Sequence, residues 1–313
     1  MSDFEHCACP VCAEDAGELY MRVADRFALA EGPSYDLQRC RVCGMIYLNP
    51  RPAEAMSGRY YQHEAYLPFA SLAARPTATQ KLYDYLRQIN LRWKRRLLSR
   101  FCARGALLDV GCGTGEFLAF MRASGWQVRG LERDPAAADW GRRNFQLDIE
   151  TGSVQDLKAG SPSDVITLWH VLEHLYSPKA ALLHLRDQLT EGGQLIIAAP
   201  HIESFDARVY GSDWIALDVP RHVNHFTLPA LQRLAETCGF HLLACRQLPL
   251  DAFFNAMMSE QLQAQARKSR SWFLPLRFAC AGAVAATSLI AGSRFFPGRF
   301  RGATLVVVLQ KTR

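Results

Sequence analysis

Nowhere in its 313 residues does the chain hold the run of about 20 apolar residues that a membrane-spanning helix needs. Its start, Met1-Ser2-Asp3-Phe4-Glu5-His6, is polar and acidic, so no secretory signal is expected and the cytoplasm is the expected address. Charge of one sign is also scarce. The net charge of +6 tolerates an anionic ligand without requiring nucleic acid. Hydrophobic residues at 49% and charged residues at 21% exclude a disordered tail, a collagen-like fibre and a polytopic membrane protein. The length is about twice that of a common domain, which predicts one large domain with a small accessory one.

Cysteine is plentiful, with ten residues, but clustered. Cys9-Pro10-Val11-Cys12 and Cys40-Arg41-Val42-Cys43-Gly44 are two C-x-x-C pairs in one short segment. Two intervening residues allow a tight turn to aim both thiolates at one ion, and Gly44 supplies a permissive backbone. Together Cys9, Cys12, Cys40 and Cys43 form a closed S4 set, which predicts a structural zinc. Cys7 and His6 stand close enough in sequence to be alternative ligands. The stretches 19–23, 35–38 and 45–48 read as strands of a small ribbon over residues 1–52, closed by Asn49-Pro50-Arg51-Pro52. Cys102, Cys112, Cys238, Cys245 and Cys280 are scattered and read as ordinary apolar thiols.

The next strong pattern is Ala106-Leu107-Leu108-Asp109-Val110-Gly111-Cys112-Gly113-Thr114-Gly115, an apolar strand entering a glycine loop before a helix over 116–123. Glycines let the backbone pass close to a ligand, and the free amides of the helix start lie nearby. A second strand, 127–131, ends at Glu132, where an acid can accept from two ribose hydroxyls. The spacing is G-x-G-x-G, not the dinucleotide G-x-G-x-x-G. With Asp109 before the first glycine, the segment closely resembles class I S-adenosylmethionine-dependent methyltransferases. The later order of helix (136–144), strand (164–169), His170-Val171-Leu172-Glu173-His174, helix (180–189), strand (194–199), helix (228–238) and strands (240–246, 304–309) keeps that resemblance. It implies a Rossmann-like, doubly wound, mostly parallel α/β sheet beside the zinc ribbon. It also implies S-adenosylmethionine as cofactor, with Asp109, Gly111, Gly113, Gly115, Glu132, Val154, Gln155, Trp169 and His170 around it.

A four-cysteine module ahead of this domain resembles zinc-containing methyltransferases of nucleotide-linked sugars, and a wider set associated with polysaccharide genes. That resemblance implies that a tyrosine-bearing segment after the ribbon, here with Tyr61 and Tyr66, closes over the acceptor. It also places a histidine at His222, with an acid expected at the position that Arg221 occupies. His222 is the expected general base, with His174 and His225 as competitors. Arg221 would suit a phosphate or carboxylate on the acceptor.

Residues 53–104 read as a helical linker and active-site cap. Its basic stretch 92–104 reads as a solvated face, with Leu91, Leu97, Leu98 and Phe101 toward the core. Residues 105–313 read as the methyltransferase domain, interrupted by a helical insertion at about 251–303. The apolar run 278–292, followed by Arg294, Arg299 and Arg301, fits a helix on an anionic surface, a lid, or a packed or dimer-forming element. The expected reaction is methylation of an oxygen or carbon of a small sugar-like, lipid-linked or anionic metabolite. An RNA acceptor docked by the ribbon and a non-enzymatic cofactor-binding module are the rivals. The first is disfavoured because the ribbon's arginines are balanced by acids.

Overall fold

The structure is a computed structural model that describes residues 3–27, 32–61, 78–158, 160–266, 274–292 and 300–312. It opens with strands β1 (Phe4–Glu5), β2 (Gly17–Ala24), β3 (Ser34–Cys40), β4 (Ile46–Leu48) and β5 (Arg51–Pro52), then a 3-10 helix at Glu54–Tyr61. Helix α1 (Ala78–Phe101) leads into β6 (Ala106–Val110), α2 (Glu116–Ala123), β7 (Gln127–Glu132), α3 (Pro135–Phe145) and β8 (Ile149–Thr151). There follow β9 (Ser163–Trp169), α4 (Pro178–Asp187), β10 (Leu189–Pro200), α5 (Phe205–Tyr210) and β11 (Asn224–His225). The chain ends with α6 (Leu228–Thr237), β12 (Phe240–Arg246), α7 (Pro249–Ala266), α8 (Leu274–Ala291) and β13 (Thr304–Lys311).

Seven strands form the central sheet in the order β12-β13-β10-β9-β6-β7-β8. Only β13 runs against its neighbours. Alternation along the strands feeds two cores. Leu108, Val110, Leu195, Ile197 and Val307 face α4 and α6, while Leu107, Ile196, Ala198 and Val306 face α1 and α2. Burial on both faces is what the uninterrupted apolar strands require, and it makes the sheet doubly wound. Local signals set the helix starts: Asp134 accepts from Ala136 N with Pro135 next, and Thr227 accepts from Ala230 N.

The cysteine-bearing segment forms a second sheet, β11-β4-β3-β2. Its β4 edge is completed by Asn224 and His225, which oppose Tyr47 and Ile46. The ribbon is therefore finished by a strand from beyond residue 200. The insertion folds as α7 and α8, with Ala252, Ala256, Ala281 and Ala285 buried against Leu37, Leu48, Trp214 and Leu217. Small side chains let these helices approach closely, and Asp206 ties α8 down by accepting from Trp214 Nε1 (2.8 Å) and Ser288 Oγ (3.2 Å).

Candidate active site

The thiols of Cys9, Cys12, Cys40 and Cys43 lie within 4.8 Å of one another. Cys9 Sγ is 3.4 Å from Cys43 Sγ, and Cys12 Sγ is 3.5 Å from Cys40 Sγ. Tetrahedral zinc with bonds of about 2.3 Å sets its sulfurs about 3.8 Å apart, so the donor set fits that ion. Each C-x-x-C turn closes by a hydrogen bond to its first cysteine, Ala13 N to Cys9 O and Gly44 N to Cys40 O. Both closing residues are left-handed, with φ of 63° and 73°. Burial pushes the Cys40 thiol up, but the N–H groups of Cys43 and Val42 and the neighbouring thiols outweigh it and hold it below its ordinary value. Cys7 is not among these four sulfurs. Its amide donates to Asn49 Oδ1 (3.1 Å).

The parallel strands end at one edge of the sheet, and the chain leaves β6 and β9 in opposite directions there, the switch point at which open α/β sheets bind ligands. Gly111, Gly113 and Gly115 follow β6 with φ of 68°, 58° and 83°, a path that suits glycine. A Cβ on Gly111 would come within 2.5 Å of Val171 Cγ2, so the loop fits closely beneath the segment after β9. Glu132 ends β7 and is buried, its Oε2 accepting from Gly113 N (2.7 Å) and its Oε1 from Asp134 N (2.8 Å). Each oxygen keeps a lone pair beyond these amides. Asp109 lies deeper and accepts from Thr167 Oγ1 (2.6 Å). Burial raises its carboxyl to about 7, against Thr167 and Lys94, which lower it. Val154 is buried and Gln155 exposed on a 3-10 turn held by Ser153 and Asp156. The buried Nε1–H of Trp169 has no partner among the described residues. A glycine loop in which Gly111 and Gly115 leave no room for a Cβ, an acid fixed at its rim and an orphaned donor at the end of β9 together fit an adenosine-bearing cofactor.

Arg92, Arg96, Arg100 and Arg104 form the exposed face expected over 92–104, with Leu91, Leu97 and Leu98 buried, but Lys94 departs from it. Its ammonium sits 4.2 Å from the Trp169 ring centroid and 5.3 Å from that of Phe117. Burial lowers it to about 8, against Asp109 and Asp251, which raise it. The signal was present in the sequence: Leu91, Lys94 and Leu98 share one helix face.

His170 follows β9 with φ 58° and bridges two acids, Nδ1 to Glu173 Oε1 (3.2 Å) and Nε2 to Asp251 Oδ2 (2.8 Å). Burial alone would lower it, but the two carboxylates, Asp251 first, raise it to about 10. Asp251 on α7 had no sequence signal.

Glu173, His174 and His222 each bring one ligand-type atom within 4.8 Å of the others. The His174 and His222 ring centroids are 4.6 Å apart, and those of His222 and His225 are 6.4 Å apart. His222 Nδ1 lies 2.9 Å from Ala216 O, which fixes the proton there and leaves Nε2 as the basic nitrogen, 4.0 Å from Asp218 Oδ2. Burial, then His174 and His225, press the His222 imidazole well below its ordinary value; burial takes His225 to about 3. Tyr61 OH lies 3.0 Å from His174 Nδ1, so the segment after the ribbon reaches this cluster. Tyr66 lies outside the described residues. Arg221 is a correction. Its buried guanidinium binds Asp25 (2.7 Å) and Asp218 (2.7 Å) and stacks on Phe27, which removes the ground for expecting it to hold an acceptor anion. Asp218 and Glu173 are acids near His222, in place of the acid expected at position 221.

A doubly wound sheet with one reversed strand, a glycine cradle and a rim acid defines the class I methyltransferase fold. A family profile described as a methyltransferase domain matches residues 83–244, just over half of the chain, and the chain belongs to that family. It is an S-adenosylmethionine-dependent methyltransferase. The ubiquinone biosynthesis O-methyltransferase of Xanthomonas campestris pv. campestris (strain B100) is 30% identical over 192 residues, covering 57% of this chain and 78% of that protein. The protein of the same name from Xanthomonas oryzae pv. oryzae (strain PXO99A) is 30% identical over 190 residues, covering 57% and 77%. Among solved structures, magnesium protoporphyrin IX methyltransferase from Synechocystis PCC 6803 with bound S-adenosylhomocysteine has a TM-score of 0.48 at 13% identity, covering 82% of this chain and 92% of that one.

Proposed function

We propose that this methyltransferase acts on an oxygen of a small hydroxyl-bearing metabolite, sugar-like or otherwise, with His222 removing the proton. The supporting observation is the cluster of Tyr61, Glu173, His174 and His222 beside the end of β9, in which His222 presents a neutral Nε2. Glycines 111, 113 and 115 with Glu132 would hold S-adenosylmethionine, which supplies an activated methyl group when bound. Asp109, Trp169, His170, Val154 and Gln155 belong to the same proposed cofactor site. The chain's own task is to place the acceptor hydroxyl in line and take its proton. Tyr61 and His174 would position the acceptor, because their contact joins the covering segment to the strand-end loop. The relatives named for ubiquinone biosynthesis O-methylation make a phenolic hydroxyl the second acceptor class to try.

His222→Ala should lower turnover by roughly 10²–10⁴-fold, the usual worth of general acid–base catalysis, with cofactor affinity unchanged. S-adenosylhomocysteine formation with candidate nucleotide sugars and phenols measures it. Full activity in His222→Ala, with loss in His174→Ala or His225→Ala, would move the base to that residue.

One observation favours a second reading. Glu173 Oε2 is buried without a partner among the described residues, and with His174 and His222 it would suit a divalent cation. Activity that survives exhaustive chelation of a protein retaining its zinc would dismiss that reading.

A further inference from the structure

From Gln261 to Arg313 the sequence contains no aspartate or glutamate but nine lysines and arginines. This segment therefore carries +9 and the rest of the chain −3, within a total of +6. Helices α7 and α8 contain just three charged residues, Asp251, Glu260 and Arg277, and all three are bonded inward. Asp251 accepts from His170 Nε2 and Thr304 Oγ1, while Arg277 donates to Glu260, which also accepts from Tyr210 OH. Ala281, Ala285 and Ser288 form the buried stripe of α8. Its other side exposes Leu276 (62%) and Ile290 (57%) with Cys280, Ala283 and Thr287 between them, and Phe278 (51%) is exposed near the helix start. Phe253 and Phe254 are exposed on α7.

The open side of a surface helix ordinarily carries charge. Here two adjacent helices turn every charge inward and leave large apolar side chains outside. We propose that this face of the α7–α8 hairpin seats on the surface of an anionic phospholipid bilayer. Among the described residues no helix is long and apolar enough to cross a membrane, so the hairpin lies in the headgroup layer. The charges favour lipid over a second copy of the chain. Arg277, Arg301 and Lys311 are held by Glu260, the Glu203 carbonyl and Glu191, but the sequence also sets Arg267, Lys268 and Arg270 between the two helices and Arg294 and Arg299 after α8, with no acid in that stretch. Such a charge suits anionic headgroups and opposes a second copy. The membrane then borders the helix whose first turn braces His170. On the functional reading above, that lets the acceptor arrive from the bilayer.

The test is flotation of the full chain with vesicles of phosphatidylcholine alone or mixed with phosphatidylglycerol, in low and high salt. The expected result is binding to the phosphatidylglycerol vesicles only, weakened by salt. A Phe254→Ser/Leu276→Ser/Ile290→Ser variant should retain its thermal melt and S-adenosylmethionine affinity yet lose at least about tenfold in partitioning, because three apolar contacts with the interface are gone. No binding at low salt, or binding untouched by the triple variant, overturns the proposal. So does a dimer that the triple variant dissociates without any vesicle binding, which would assign the face to a second copy. Vesicle binding is read without turnover, so its failure is distinct from failure of the catalytic reading.

Discussion

Arg221 illustrates how a single residue's role depends on partners far away in sequence. Its ion pairs reach Asp25 on the ribbon side and Asp218 in its own loop, and none of that is visible from position 221. Arg221→Ala leaves Asp25 without its arginine and Asp218 with Arg26 alone, and should destabilise the fold by about 3–5 kcal/mol, measured by denaturant titration. A near-neutral change would mean the pairs are not formed in solution. Gly111 makes the opposite point, because its need is legible locally. Gly111→Ala meets both a left-handed backbone and the Val171 methyl, so a loss of cofactor affinity together with about 1–3 kcal/mol of stability is expected. Unchanged affinity by calorimetry would show that the loop is not a cradle. Lys94 was legible too, had helical spacing outweighed the basic character of its neighbours.

At the scale of elements, the strands of the central sheet and most helices were readable because continuous apolar runs and capping residues act within a few positions. The glycine loop, the acid at Glu132 and the cysteine pairs were readable for the same reason. The left-handed Ala13 was not, since alanine carries no mark of that conformation. Nor was β11, whose two residues become a strand only because β4 offers an open edge. That pairing has a consequence. The four-cysteine sheet shares β11 with the loop that carries His222 and His225, so a zinc bound there should support the loop proposed to carry the base. Cys40→Ser/Cys43→Ser should lose zinc and turnover while S-adenosylmethionine affinity stays within about threefold, because site formation and folding of the ribbon are coupled. Metal analysis and calorimetry on the same variant check this. Full zinc content in that variant would refute the four-cysteine assignment.

For the whole molecule, the buried histidines set a pH window for stability. Burial lowers His201 to about 4 and His225 to about 3, and lowers His222 as well. Groups depressed in the folded state contribute stability above their unfolded value, and that contribution is lost as pH falls from about 6.5. His170, raised to about 10, acts oppositely: its contribution is whole below about 6.5 and is lost as pH climbs toward 10. Tm should therefore fall on both sides of neutrality, and Asp251→Asn should flatten the alkaline limb. An alkaline limb unaffected by that change would remove His170 as its source. Cofactor binding at the sheet's switch point remains the claim on which the functional account rests, and calorimetric titration with S-adenosylmethionine tests it most directly. The wild-type chain should bind one equivalent, and Glu132→Ala should lose about 2 kcal/mol, roughly thirtyfold in Kd, while His222→Ala binds as the wild type does. Absence of binding by the wild type, or equal affinity in Glu132→Ala, would contradict the account.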